Sequence, residues 1–212
     1  PNAVNASDFI FMKDNIWYTE GYIIDQFCKG GVNLYKPYSN KVGLVIEKSD
    51  PQALEVVFNI MNTARAVYGV DIHHYVITEG PVGGRCERNK SGSYVGKLEE
   101  PAVLFKACEE LIRAGVDAIG VTSNIQELPQ EEYARHFQGM HPNPVGGAEA
   151  IISHLIEAKY KLPAAHAPLI NLKNMDLKTK IVDARGAGEF SSVSGLACVL
   201  IGLSQAPQVS PR

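Results

Sequence analysis

Short apolar runs alternate along this chain with amphipathic stretches of helical period, and this alternation limits the possible folds more than any other feature. Residues 42–47, 70–78 and 116–123 have the length and composition of strands that are buried on both faces. Residues 196–203 form a further apolar run, which we expect to be the last buried strand. Strands that alternate with helices are typical of βαβ units. The sequence therefore predicts a three-layer α/β domain over residues 1–212, in which a largely parallel sheet carries helices on both faces.

Capping residues and prolines mark the expected helix boundaries. Asp50 and Pro51 suit the cap and the first turn of a helix. Gly69 suits its end, because glycine readily adopts the left-handed conformation. The remaining elements are expected to be helices at 21–28, 101–115, within 124–140 and from 147 onward, with short strands at 9–12 and 15–19. Residues 1–40 are expected to form a less regular N-terminal extension.

Composition and charge exclude several classes of protein. The chain has 212 residues, of which 45% are hydrophobic, so a sizeable core is available. Its formal net charge of −3 argues against a nucleic-acid surface, and it lacks an apolar run of about 18 residues that could span a membrane. The start of the chain lacks the basic and apolar regions of a signal peptide. Four scattered cysteines without a C-x-x-C pair fit a reducing compartment and provide no zinc site. We therefore expect a cytoplasmic protein without membrane, nucleic-acid or cofactor partners.

Residues 141–168 contain the most distinctive unit, a Gly-Gly helix start followed by histidines. Asn143 precedes a proline and is therefore expected to be extended, and Gly146 and Gly147 then open a helix. The first turn of a helix carries unpaired backbone N–H groups and a partial positive charge. A carboxylate or phosphate is therefore expected to bind over the two glycines. The alternative is that the glycines only make a tight turn.

The carboxyl ends of the predicted strands provide further candidates, because ligands of open parallel sheets bind there. Glu79 follows the second predicted strand, and Ser123 ends the third. Residues 80–96 are expected to form a long polar loop that carries Arg85 and Arg88. Arginine suits bidentate binding of a carboxylate or phosphate. Because long loops are usually functional or disordered, a solvated and mobile loop is the alternative.

Several titratable residues suggest acid/base chemistry. Imidazole is the commonest general acid or base near neutral pH, and His166 lies just past a predicted helix. The alternative is a buried histidine that bonds to the backbone. Aromatic neighbours could desolvate Glu20, although a surface glutamate is the commoner outcome, and His154 is expected to be structural. The arginines beside Cys86 are expected to lower the pKa of its thiol.

No motif indicates a metal or nucleotide site. Glu149 and His154 are five residues apart on one predicted helix, so they point about 140° away from each other. The chain contains no P-loop, no G-x-G-x-x-G after a strand, no G-x-S-x-G and no H-E-x-x-H. Nucleotide, nicotinamide and serine-hydrolase functions therefore lack motif support, and no metal is predicted.

Several segments nevertheless resemble a known family. GGAEAIISHLIEAKYKLPAAHAP, NIWYTEGYIIDQF, NKVGLVIEKS, CVLIGLSQAP and PNAVNA are similar to the domain-of-unknown-function family 3326, which occurs in bacteria, including cyanobacteria, and in plants. The resemblance runs along essentially the whole chain. It implies an α/β fold and no particular reaction. The residues whose importance it raises are Glu20, Gly146, Gly147, His154 and His166.

Proteins of this family are longer than the present chain. They carry Gly-rich segments before the match to Pro1 and after the match to Gln208, so this chain resembles the central portion of the family. The resemblance therefore implies either a partial chain or a second chain that supplies the missing segments. A homo-oligomer is also expected.

Two functions are compatible with these observations. The first is an enzyme that acts on a small anionic metabolite by acid/base chemistry, of hydrolase, lyase or isomerase type. The second is a non-catalytic metabolite-binding or assembly subunit. We favour the first, because the polar segment 80–96 is too long to be only a connector. The candidate catalytic residues are His166, Glu79 and Glu20. The candidate ligand-binding residues are Asn143, Gly146, Gly147, Arg85, Arg88, Ser123 and His154.

Overall fold

The structure, a computed structural model, describes residue 17 and residues 19–126, 130–169 and 195–211. That part of the chain contains six helices and nine strands. The helices are α1 (Gly21–Cys28), α2 (Pro51–Tyr68), α3 (Pro101–Arg113), α4 (Gln130–Phe137), α5 (Gly146–Tyr160) and α6 (Gly195–Ser204). The strands are β1 (Val32–Tyr35), β2 (Val42–Ile46), β3 (Ile72–Ile77), β4 (Gly84–Arg88), β5 (Tyr94–Leu98), β6 (Ala118–Ser123), β7 (Ile125–Gln126), β8 (Ala164–Pro168) and β9 (Gln208–Pro211).

Four parallel strands form the central sheet, in the order β3-β2-β6-β8. β2 pairs with β3 on one side and with β6 on the other, and β8 pairs with β6 at the edge. Every residue of β2 and of β6 is buried, as expected for strands that are covered on both faces. The predicted parallel α/β architecture is therefore confirmed.

Two helices cover each face of this sheet. Helices α2 and α6 share a hydrophobic core with Leu44, Ile46 and Ala165. Helices α3 and α5 share the opposite core with Val45 and Val121. This division follows from the alternation of side chains along a strand. The resulting three layers confirm the prediction, and they leave the edge strand β8 between α5 on one face and α6 on the other.

The predicted helix boundaries agree with the structure at the capping residues. The Asp50 carboxylate accepts a hydrogen bond from the Ala53 backbone N–H at 3.0 Å, and Pro51 occupies the first turn of α2. Gly69 ends this helix with a φ of 66°, which costs a residue with a side chain about 1–2 kcal/mol. The other predicted helices are observed as α1, α3, α4 and α5.

The prediction of a strand at residues 196–203 is wrong, because this run lies in α6. Leu196, Val199, Leu200 and Leu203 are buried in the same core as α2. Periodicity alone cannot distinguish a fully buried strand from a fully buried helix, since neither has a polar face. The apolar run therefore belongs to a helical layer, where it packs against β8.

The prediction of a loop at residues 80–96 is wrong over most of its length, because β4 and β5 form an antiparallel hairpin. Its charged side chains form ion pairs. Lys97 Nζ lies 2.5 Å from Glu87 Oε2, and Arg85 Nη1 lies 2.9 Å from Glu99 Oε1. Arg85 and Glu87, two of the charges that suggest a solvated loop in the sequence, are thus held in ion pairs on the hairpin. β7 joins this sheet in parallel with β4.

The N-terminal region is only partly described. The strand expected at residues 9–12 lies outside the described residues, as does most of residues 15–19. Within the expected extension, β1 pairs antiparallel with β9 near the other end of the chain. None of the helices in the described ranges has the length and apolar character needed to cross a bilayer.

The β4–β5 hairpin contacts the start of α5 at very short range. A Cβ atom built on Gly96 lies only 2.1 Å from the Gly147 carbonyl oxygen and 2.4 Å from the Ala148 nitrogen. The two segments therefore meet backbone to backbone, which only glycine permits at this position. This contact fixes the position of the first turn of α5 against the hairpin.

Gly96→Ala is expected to destabilise the protein by about 3 kcal/mol, because the added methyl group overlaps backbone atoms that can move only with α5. The matched control is Gly80→Ala, since a Cβ atom on Gly80 has no neighbour within 4 Å. The control should change stability by less than about 0.5 kcal/mol. Urea unfolding measures both variants, and equal midpoints would show that the hairpin and α5 are not in tight contact.

Candidate functional site

A cavity of about 50 Å³ lies beside the edge strand β8, with α5 on one side and the end of α6 on the other. A volume of this size holds a few water-sized groups. Alanines of β8 and the end of α6 form its apolar lining. Its polar lining consists of Thr19, Glu20, Glu149, Ser153, Glu157 and His166. Polar groups of this kind beside an apolar wall are typical of small-molecule sites.

His166 lies in the middle of β8, and its side chain is fully buried. Nε2 lies 2.9 Å from Ser123 Oγ, and Nδ1 lies 3.4 Å from Glu149 Oε2. A carboxylate only accepts hydrogen bonds, so the Nδ1 atom that faces Glu149 carries the proton. Nε2 then accepts a hydrogen bond from the Ser123 hydroxyl. Two partners therefore fix both the orientation and the tautomer of the imidazole.

Helix α5 forms one wall of the cavity because three of its polar side chains are spaced four residues apart. Glu149, Ser153 and Glu157 all line the cavity, as expected for positions that share one helix face. Glu149 lies in the first turn, where the helix dipole stabilises a negative charge by about 0.3–1 kcal/mol. The start of α5 contacts His166, whereas Glu157 bonds to Ala164 at the beginning of β8.

Glu20 and His154 form a second pair next to the cavity. Glu20 caps α1, and its Oε2 accepts a hydrogen bond from the Tyr22 backbone N–H at 2.6 Å. Its Oε1 lies 3.1 Å from His154 Nε2, and its side chain is only 8% exposed. Glu20 is therefore half-buried rather than fully on the surface. His154 does not line the cavity, but its contact with Glu20 joins α1 to α5.

Glu157 is a fully buried acid at the end of the cavity next to Glu20. Its Oε1 accepts a hydrogen bond from the Ala164 backbone N–H at 2.9 Å. No described donor group bonds to its Oε2, and its carboxyl group lies within hydrogen-bonding reach of the Glu20 carboxylate. Burial raises the pKa of this carboxyl to about 9, and the nearby charge of Glu20 acts in the same direction. Glu157 therefore carries its proton at neutral pH.

The two candidate arginines lie outside the cavity. Arg85 shares its guanidinium between Glu87 and Glu99, at 2.9 Å from each. Arg88 lies on the exposed hairpin, where its Nε donates to the Gly92 carbonyl oxygen at 3.2 Å. The structure does not bring either arginine to the buried histidine, so the predicted combination of arginines and imidazole is not observed.

Two further residues with predicted chemistry also lie elsewhere. Glu79 is exposed, and its ion pair with Lys106 at 2.7 Å lowers the pKa of its carboxyl. The prediction for Cys86 is wrong, because burial raises the pKa of its thiol. Cys86 packs against the start of α5, whereas neighbouring side chains such as Arg85 point to the other face of the strand.

The predicted helix start lies close to His166, since the first turn of α5 supplies Glu149. Asn143 accepts a hydrogen bond from the Val145 backbone N–H at 3.0 Å, and its carbonyl oxygen accepts from Gly146 at 3.2 Å. Gly147 contacts the β4–β5 hairpin. Asn143 and the two glycines therefore shape the turn, and the anionic group found beside the first turn is the chain's own carboxylate.

The crevice at the carboxyl ends of β2 and β6, where the strand order reverses, is filled by a side chain. Glu47 is 3% exposed, and its carboxylate accepts hydrogen bonds at 2.8 Å from the Val82 backbone N–H and from the Asn124 side chain. Ser123, at the end of β6, contacts His166. The rule for parallel sheets thus leads to a residue that contacts His166, but Ser123 does not line the cavity, which lies beside the edge strand.

Four polar cavity residues, Thr19, Glu149, Ser153 and Glu157, are not among the site residues predicted from the sequence. Ser153 shares a helix face with Glu149, and the same interval of four extended once more gives Glu157. That interval is the signal that could have identified the polar wall. The apolar residues before Glu157 obscure this interval in the sequence, because they suggest that Glu157 is an exposed glutamate next to a buried stripe. Thr19 gives no sequence signal, since its position against α5 depends on tertiary packing.

The acidic and histidine side chains are arranged in pairs rather than in a metal-binding cluster. Glu149 pairs with His166, and Glu20 pairs with His154. Across the described ranges, no group of three or more histidine, cysteine, aspartate or glutamate side chains is placed to hold a metal ion.

The whole chain is similar to proteins of one family. Residues 1–212 match the model of a family described as "Protein of unknown function (DUF3326)", which confirms the resemblance seen in its motifs. The chain is also 32% identical over 210 residues to an uncharacterized lipoprotein of Synechococcus sp.. That similarity covers 98% of the chain and 58% of the relative, so the chain spans little more than half of the relative's length. No solved structure matches the chain.

Glu157→Gln is expected to remove a pH dependence of stability. The folded-state pKa of Glu157 is about 9, above the ordinary value of 4.5, so the folded chain binds more protons than the unfolded chain between these values. Its contribution to stability is therefore complete below pH 4.5 and is lost as the pH rises toward 9. The neutral amide lacks this loss. The Tm of the variant should exceed that of the unmodified protein by about 3–6 °C at pH 8 and approach it at pH 5.

The matched control is Glu110→Gln, which replaces an exposed glutamate. Its Tm should follow that of the unmodified protein at every pH. If the Glu157→Gln and unmodified proteins give parallel Tm curves between pH 5 and pH 8, Glu157 is not held protonated by the fold.

Proposed function

We propose that this chain, which belongs to the DUF3326 family of proteins of unknown function, is an enzyme that acts on a small metabolite by acid/base chemistry. The observation that carries the proposal is the buried imidazole of His166. It is held 2.9 Å from Ser123 and 3.4 Å from Glu149, next to a cavity. An imidazole fixed between a hydroxyl and a carboxylate is oriented to move a proton.

Glu149 and His166 are the proposed catalytic pair, because both line the cavity. The Glu149 side chain is 20% exposed, whereas that of His166 is fully buried. A bound molecule therefore gives its proton to the Glu149 carboxylate, which the Nδ1–H of His166 holds in position, and Glu149 then returns that proton. The helix dipole at the first turn of α5 favours the charged carboxylate before the transfer.

Ser123 is proposed as a positioning residue rather than as a nucleophile. Its side chain is completely buried and does not line the cavity. Attack by its hydroxyl on a bound molecule therefore lacks access. Its hydrogen bond to Nε2 holds the His166 ring in the orientation in which Nδ1 faces Glu149.

The charge of the cavity favours an uncharged or cationic substrate over an anionic one. Three of its lining side chains are carboxylic acids, and its described lining contains no lysine or arginine. An anion in this cavity would be repelled by the neighbouring carboxylates. The arginines that suggest an anionic metabolite in the sequence are Arg85 and Arg88, which bond within the β4–β5 hairpin region. The proposed acid/base chemistry therefore acts on a substrate that is uncharged or positively charged.

Hydrolysis, elimination and isomerisation are the reaction classes that such a pair serves, since each requires a proton to be removed and returned.

A homo-oligomer and a second chain that completes the protein stay predictions. So does the cytoplasmic location. The name of the Synechococcus relative, a lipoprotein, supports attachment to a membrane surface by a lipid as the competing location.

Replacement of His166 by glutamine is expected to lower turnover by about 10²–10⁴-fold, because the base Glu149 loses the imidazole that positions it and a general base usually contributes this much. Ser123→Ala should lower it by about tenfold or less, because Glu149 still holds the ring. A suitable assay screens the full chain against small uncharged and amino-substituted esters, amides and hydroxy compounds by NMR, and then compares the variants on any substrate that is converted.

The matched control is His74→Gln, which changes an exposed histidine on β3 and should leave turnover unchanged. A His166→Gln variant with full activity would exclude the proposed proton transfer. A Ser123→Ala variant as inactive as His166→Gln would instead identify Ser123 as a nucleophile. A ligand that binds without being converted would favour the non-catalytic binding subunit.

A further inference from the structure

We propose that the end of the cavity near Glu157 is a binding subsite for a primary ammonium group, so that the substrate is a small amine. This inference rests on the proposed function, because the subsite belongs to the cavity that contains His166. Two buried oxygen atoms carry it. Glu157 Oε2 and Thr19 Oγ1 both belong to cavity-lining residues, and neither receives a hydrogen bond from a donor in the described part of the chain.

Buried polar atoms without partners are rare in folded proteins, and each one indicates a missing donor or acceptor. Here both atoms belong to residues that line one cavity, and Glu157 is completely buried. Their position next to an open volume of about 50 Å³ indicates that the missing partner is a small bound group.

The chemistry of the surrounding atoms selects an ammonium group. An ammonium group is compact, carries three donors and accepts nothing, so it fits a small volume that is lined by acceptors. Glu157 Oε2 and Thr19 Oγ1 supply two acceptors, and the Glu20 carboxylate lies beside them. The described carboxyl groups disfavour an anion, and no described set of three side chains is placed to hold a metal ion.

The proposed subsite and the catalytic pair are close enough for one small molecule to reach both. Glu157 bonds to the N–H of Ala164, which precedes His166 by two residues on β8. Two residues of a strand span about 7 Å. A short amine bound by Glu157 therefore places its other end beside Glu149 and His166.

Binding of an ammonium group at this position displaces one proton. Glu157 is protonated in the free protein, and its carboxylate is needed to balance the charge of the ligand. The Glu157 carboxylic acid and the ammonium ion thus give a carboxylate–ammonium ion pair, and the proton goes to the solvent. Among the described residues, the other titratable groups that line the cavity are Glu20, Glu149 and His166. Tyr22 and His154 lie next to Glu20.

The test is a titration of the full chain with ethylammonium chloride at pH 7 and pH 8, followed through the amide signals of Ala164. We expect the dissociation constant to fall about tenfold per pH unit, because one proton is released for each ammonium bound. Glu157→Gln should weaken binding at least tenfold at pH 8 and remove its pH dependence. Acetate and tetramethylammonium, which lacks N–H donors, should not bind.

The matched control Glu110→Gln should bind ethylammonium as the unmodified protein does. The proposal is overturned if ethylammonium does not bind, if Glu157→Gln binds it equally well, or if tetramethylammonium or acetate binds equally well. These readouts do not depend on turnover. An active His166→Gln variant would thus contradict the proposed function, whereas these outcomes would contradict the ammonium subsite.

Discussion

The packing of α5 along β8 is the interaction on which the candidate site depends. It brings Glu149 to the imidazole of His166 at one end and Glu157 to the Ala164 backbone at the other. The face of α5 that carries Glu149, Ser153 and Glu157 points at an edge strand rather than at the middle of the sheet. A cavity therefore remains beside it. The backbone contact between Gly96 and Gly147 holds the first turn of the helix in that position.

The buried polar groups of this region are balanced in different ways. The Glu20 carboxylate is matched by the imidazole of His154 and a backbone N–H. Glu47 fills the crevice between β2 and β6, and both of its carboxylate oxygens accept hydrogen bonds. Glu157 is different, since one of its oxygens receives no hydrogen bond from a described donor and burial keeps its proton in place. A polar group that breaks the usual pairing is more often part of a functional site than of the scaffold.

The layers of the fold could be predicted from the sequence, but the site could be predicted only in part. Apolar runs and capping residues such as Asp50 are local signals, and they gave the helices and the parallel strands. The run at 196–203 carried no polar face, so its helical state depends on the layer in which it packs. His166, Ser123 and the start of α5 were identified and do meet. The paired charges of the hairpin and the position of Thr19 depend on contacts between distant segments, which periodicity does not encode.

The central claim is that the fold holds His166 as a proton carrier between an acceptor and a donor. The most direct measurement is the pair of ring ¹⁵N chemical shifts of His166 in the full chain and in Glu149→Gln. The account predicts a protonated Nδ1 and an unprotonated Nε2 in the unmodified neutral ring, with this preference lost when Glu149 is replaced. A ring that carries its proton on Nε2 in both proteins would contradict the account.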